Sequence, residues 1–179
     1  MEHAGGFKDG KGVFHGQDTV DDREVAAEGD NGFLCMVLRS WSAAPDVEVS
    51  YYAKTRAPIC FDPVAARTVA PVEELRTRLG MEGKPPDAIA REVALRYGRG
   101  ELPRMEGVAF AYMWSGSQDT GPGAGAWRPH MMVYVPYYTN AMLGGNQPGR
   151  APFVVGGGTP YATALIVVDD KLAIMAREK

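Results

Sequence analysis

Large and small side chains alternate along Val108–Ser115, with Val108, Phe110, Tyr112 and Trp114 on one side and Ala109, Ala111 and Met113 on the other. That two-residue period marks a β-strand. The run 130–135 repeats it, so His130, Met132 and Tyr134 share one face and Met131, Val133 and Val135 the other. Pro152–Val155 and Tyr161–Val168 read as two further strands around the loop Gly156-Gly157-Gly158-Thr159-Pro160. The last of these is apolar on both faces, as suits a strand inside a sheet. Nearer the start, Arg23–Ala27 and Phe33–Leu38 flank Glu28-Gly29-Asp30-Asn31-Gly32 and read as a β-hairpin. Asn-Gly is the favoured pair where both central turn residues need positive φ. Ile59-Cys60-Phe61 adds one short strand.

Between these strands the period changes to that of a helix. Asp62 is a good N-cap, and Pro63 suits the first helical position, where its missing N–H costs nothing. The helix is expected to run to about Leu79 with Gly80 as its stop, Val72, Leu75 and Leu79 as its buried stripe, and a kink or break at Pro71. A second helix follows Pro85-Pro86: Ile89, Val93 and Tyr97 recur at four-residue steps, Asp87 favours the N-terminal end, and Gly98 ends it. Thr139–Leu143 reads as a short helical turn capped by Thr139. Residues 40–57 form a long irregular loop carrying Trp41, Tyr51 and Tyr52, and 115–129 form a Gly/Ser/Pro loop.

Residues 1–20 are polar and glycine-rich without a sustained period, which reads as a flexible N-terminal arm. Residues 21–179 then make a single α+β domain: a largely antiparallel sheet of five or six strands, with two central helices packed on one face. A doubly wound parallel sheet is disfavoured, because the late strands have no crossover helix between them.

Composition narrows the partners more than the chemistry. The chain has 179 residues, 45% of them hydrophobic, and a formal net charge of −3. Without a basic cluster it lacks the face that phosphate neutralisation requires, so no nucleic-acid partner is expected. No apolar run reaches the roughly 20 residues of a transmembrane segment. Met1–Gly6 has neither a basic region nor an apolar core, so a signal peptide is absent from this chain.

Candidate chemistry gathers around Trp127-Arg128-Pro129-His130 and Tyr134-Val135-Pro136-Tyr137-Tyr138-Thr139-Asn140, a strand between two glycine-rich loops. His130 is the candidate general base, or a hydrogen-bonding group for a ligand. Trp127, Arg128, Tyr134, Tyr137, Tyr138 and Asn140 form an aromatic, hydrogen-bonding set suited to a small ligand or a protein partner. Ser115, Ser117 and Asp119 lie close by in sequence, but no Gly-x-Ser-x-Gly elbow is present. No metal is expected: Asp62, Glu106 and Asp119 have no ligand spacing to His130, and His3 and His15 lie in the arm. Gly156–Gly158 leads into a strand and lacks a following Lys-Ser/Thr, so it is no phosphate cradle and no cofactor is implied. Cys35 and Cys60 are either one disulfide, in an oxidising compartment, or two small buried apolar residues.

Several pieces spread over residues 23–168 resemble a family of exported bacterial proteins of unknown function. They are Gly29-Asp30-Asn31-Gly32-Phe33-Leu34-Cys35, Pro58-Ile59-Cys60-Phe61-Asp62, Tyr112-Met113, Pro129-His130-Met131-Met132-Val133-Tyr134-Val135-Pro136 and Gly158-Thr159-Pro160. The resemblance implies a periplasmic or extracellular protein with its signal removed, and hence a Cys35–Cys60 disulfide. It implies no activity. Members often carry another histidine where this chain has Arg128, which weakens a metal site here. The leading reading is an exported small domain that binds a small ligand or partner at an aromatic pocket near His130. The alternative is a cofactor-independent hydrolase or lyase with His130 as general base. Self-association through glycine-rich strand edges is a third reading.

Overall fold

The computed structural model describes residues 13–17, 23–27, 31–38, 51–55, 57–114, 129–145 and 152–168, the first two segments by backbone alone. In chain order the strands are β1 (Val13–Gln17), β2 (Arg23–Ala27), β3 (Leu34–Leu38), β4 (Ala57–Phe61), β5 (Ala109–Met113), β6 (His130–Tyr134), β7 (Phe153–Val155) and β8 (Thr163–Val167). They form one sheet in the order β2-β1-β3-β4-β5-β6-β8-β7. From β3 onward every neighbouring pair is antiparallel, and only β1 and β3 run parallel. The expected α+β class and largely antiparallel sheet are thus present, with eight strands where five or six were expected.

One extra strand comes from the segment read as an arm. Strand β1 lies between β2 and β3, so Arg23–Ala27 and Leu34–Leu38 are not hairpin partners. The Asn31-Gly32 pair bends the chain in another way. Asn31 accepts the Phe33 N–H on its own Oδ1 at 3.1 Å, and Gly32 has φ +71°. A Cβ at Gly32 would also stand 3.1 Å from Pro63 Cγ, so the glycine lets β3 begin directly against the helix start.

Three helices follow β4: α1 (Pro63–Thr68), α2 (Ala70–Met81) and α3 (Pro86–Gly98). Asp62 caps α1 as expected, its Oδ1 accepting the Ala65 N–H at 2.7 Å. Pro71 cannot donate to the preceding turn, and the first helix divides at Val69 into α1 and α2. The stop at Gly80 is displaced. Helix α2 runs one residue further and ends in a left-handed Gly83, with Gly83 N–H on Gly80 O and Lys84 N–H on Leu79 O. Helix α3 ends at Gly98 as expected, and a left-handed Gly100 two residues on closes the turn, with Gly100 N–H on Tyr97 O and Glu101 N–H on Arg96 O.

Strand register assigns the faces. Ala109, Ala111 and Met113 turn inward with Met132, Tyr134, Phe61, Ile59, Met36 and Leu38, and Ala65, Val69 and Ala70 pack on them. The large residues of β5 face outward, Phe110 being 41% and Trp114 48% exposed. The two alanines are why: their small side chains leave room for α1, which rests on β4 and β5. A second core joins α2 and α3 through Val72, Leu75, Leu79, Ile89, Val93 and Tyr97, closed by Leu102 and by Tyr161 from the β7–β8 loop.

Both cysteines are bonded to each other as Cys35–Cys60, directly opposite across β3 and β4 on the outward face. Among the described residues no helix is long and apolar enough to cross a membrane.

Candidate functional site

Strand β6 places His130 and Tyr134 on the helix-facing side, both buried, at 6% and 5% exposure. Four residues at about 3.3 Å each separate them by roughly 13 Å. His130 sits opposite Met113 and Val167 at one end of the strand, and Tyr134 opposite Ala109 and Thr163 at the other. The histidine and the tyrosines therefore belong to different ends of the sheet.

Beyond Tyr134 the chain turns sharply. Tyr138 N–H bonds to Val135 O at 3.0 Å, with Pro136 and Tyr137 as the central residues. Tyr137 has φ +63°, the conformation that the third residue of a type II turn requires and that glycine usually supplies. Tyrosine there is strained by about 1–2 kcal/mol. The turn is held by the β7–β8 loop: Tyr137 N–H donates to Thr159 O at 2.8 Å and Gly158 N–H to Tyr138 O at 2.9 Å. That loop is itself braced by Thr159 Oγ1 donating to Gly156 O at 2.6 Å. The two turns so form one joined edge presenting Tyr137, Pro160 and Tyr161 toward the helices.

Under this edge lies a chain of stacked groups. Tyr161 stacks on Tyr97 of α3 with centroids 5.8 Å apart and planes 22° from parallel. The Arg76 guanidinium of α2 lies 4.7 Å from the Tyr161 centroid and pairs with Glu73 Oε1 at 2.8 Å. Burial works against the Arg76 charge, but Glu73 and the rings of Tyr161 and Tyr97 outweigh it, so the cation holds its proton above its ordinary range. Burial pushes the Tyr97 hydroxyl up to about 12, with Arg76 opposing. It pushes Tyr134 well above the usual phenol range, Glu73 adding to the shift and Arg76 again opposing it. All three groups keep one charge state across neutral pH.

Next to this stack is an open cleft of ≈ 200 Å³, lined by Ala94, Tyr97 and Gly98 of α3 together with Arg104, Tyr137 and Pro160. Tyr137 is 55% exposed there. Of the residues expected to bind a ligand, only Tyr137 lines the cleft. Tyr134 is buried in the main core and Tyr138 stands at the surface. Asn140 uses both ends of its amide on Val154, donating from Nδ2 to the carbonyl and accepting the N–H on Oδ1, each at 2.8 Å. It replaces a missing strand partner at the sheet edge. Thr139, expected to cap this turn, makes no side-chain cap bond. Trp127, Arg128, Ser115, Ser117 and Asp119 lie outside the described residues.

Sequence reasoning missed Arg76, Arg104, Pro160 and Tyr161, and took Tyr97 only as core. One signal was available. Arg76 falls four residues after Val72 and three before Leu79, inside an apolar stripe, with Glu73 three residues earlier to pair it. A cation in a buried stripe needs a partner, and its partners lead to Tyr161 and Tyr97.

Among the described residues, no group of three or more His, Cys, Asp or Glu could hold a metal ion. Comparison with family models, curated proteins and solved structures returned no match.

Proposed function

We propose that this chain is an exported domain that binds a small ligand in the cleft bounded by Tyr97, Arg104, Tyr137 and Pro160. The observation that carries this reading is Tyr137. A bulky residue occupies a left-handed position where glycine would be less strained, and its ring is more than half exposed. Burial therefore returns little of the strain within the fold, which favours a contact made with something from solvent. Export is supported by the disulfide, which uses both cysteines and persists in oxidising compartments.

The reading keeps the aromatic site anticipated from sequence and moves it away from His130. The hydrolase reading gains no support from the described residues. Both cysteines are bonded, and Ser40, Ser42, Ser50, Ser115 and Ser117 all lie outside them.

A fragment screen read by amide chemical shifts tests the placement. Bound fragments are expected to shift Gly98, Arg104, Tyr137 and Tyr161. Shifts centred on Met113, His130 and Val167 would place the site at the other end of the sheet and overturn the reading.

A further inference from the structure

Tyr97 is the last ring of a stack that begins at a buried cation. Behind it are Tyr161 at 5.8 Å and then the Arg76 guanidinium, and beside it is the cleft. Tyr97 is only 5% exposed and forms the floor of the cleft, so a planar group entering it lies against the exposed Tyr137. Pro160 offers a further apolar wall, and Ala94 and Gly98 leave the helix side low.

Volume limits what fits. Sites for drug-sized ligands run from roughly 300 to 1,000 Å³. A cleft of ≈ 200 Å³ admits one ring with a small substituent and leaves no room for a nucleotide.

Charge selects the substituent. The nearby arginines are paired: Arg76 with Glu73, Arg91 with Asp87, Arg96 with Glu92, and Arg99 more loosely with Glu101. Arg104 lines the cleft and makes no ion pair among the described residues. Among the described residues, no carboxylate lines the cleft to balance it. A guanidinium beside aromatic walls favours a carboxylate, which it can grip with two parallel hydrogen bonds. A sugar would require several side-chain acceptors, and the described lining of alanine, glycine, proline, two tyrosines and one arginine offers few.

From these features we infer that the cleft takes a single-ring aromatic carboxylate, its ring against Tyr137 and its carboxylate at Arg104. The inference rests on the binding reading above and names the ligand class for that same site.

The experiment is a calorimetric and amide-shift titration of the whole chain with benzoate, benzyl alcohol and benzylamine, which share a ring and differ in charge, and with acetate, which lacks the ring. Benzoate is expected to bind best and to shift Gly98, Arg104 and Tyr137, with acetate weak. Arg104→Gln is expected to weaken benzoate about ten-fold or more, leaving benzyl alcohol unchanged. Tyr137→Gly, whose backbone conformation glycine accepts, is expected to weaken every ring-bearing probe. Equal binding of all three rings, or insensitivity of benzoate to Arg104→Gln, would overturn the anionic assignment while leaving the binding site in place. Preference for benzylamine would overturn it too. Failure of every probe to shift the cleft residues at millimolar concentration would remove both the assignment and the binding reading.

Discussion

Tyr137 and Tyr97 carry opposite lessons about a single side chain. Tyr137 stands where its backbone is strained and its ring gains little burial, so removing the ring is expected to help the fold. Tyr137→Gly is expected to stabilise the protein by about 1 kcal/mol in urea unfolding. A loss of similar size would mean the ring is chiefly a packing element. Tyr97 is the reverse, a buried phenol whose pKa is raised from the ordinary value near 10 to about 12. A raised pKa means the folded state favours the neutral form. That stabilisation is complete below about pH 10 and is lost as pH rises from there through about 12. Tyrosine-labelled NMR titration is expected to show Tyr97 ionising near 12 and Tyr134 well above the ordinary phenol range. Ionisation of both at the ordinary value would contradict their burial. Neither role could be read from sequence, because a tyrosine in an apolar stripe looks the same whether or not an arginine stack lies behind it.

At the scale of elements, local signals were legible and non-local pairings were not. Asp62-Pro63 and Pro85-Pro86 marked the helix starts, and Pro71 marked the division between α1 and α2, because caps and prolines act through neighbouring backbone. Helix ends were less legible. Gly98 is the last residue of α3 as expected, but Gly80 lies inside α2, and the left-handed glycines are Gly83 and Gly100, two residues beyond each helix. A glycine advertises freedom, and only the turn geometry decides which one uses it. The insertion of β1 between β2 and β3 had no local mark, since pairing depends on residues far apart in sequence. The bridge between β3 and β4 was open from the residues alone and is present. Closing a separation of 25 residues contributes roughly 3–4 kcal/mol on a chain-entropy account. Reduction is therefore expected to lower the melting temperature by about 10 °C. An unchanged melting temperature after verified reduction would show that β3 and β4 are held without it.

Across the whole molecule the candidate site draws on α2, α3, the loop after α3, the Pro136–Tyr137 turn and the β7–β8 loop. No spacing rule connects segments so far apart. Of these segments the sequence singled out the Tyr137 turn, because a Pro-Tyr-Tyr turn beside a glycine loop is visible locally. It tied that turn to His130, four positions before Tyr134, because strand periodicity puts both on one face. The face is shared, but a strand is long enough to separate its two ends by roughly 13 Å. Function at the tyrosine end and packing at the histidine end is the account's central claim. The direct test is to measure affinity and stability for the strongest-binding aromatic fragment in wild type, Tyr137→Gly and His130→Ala. His130→Ala is expected to cost about 1–3 kcal/mol of stability with affinity unchanged, and Tyr137→Gly to lose affinity while gaining about 1 kcal/mol of stability. Loss of affinity in the folded His130→Ala protein, with Tyr137→Gly binding normally, would contradict it.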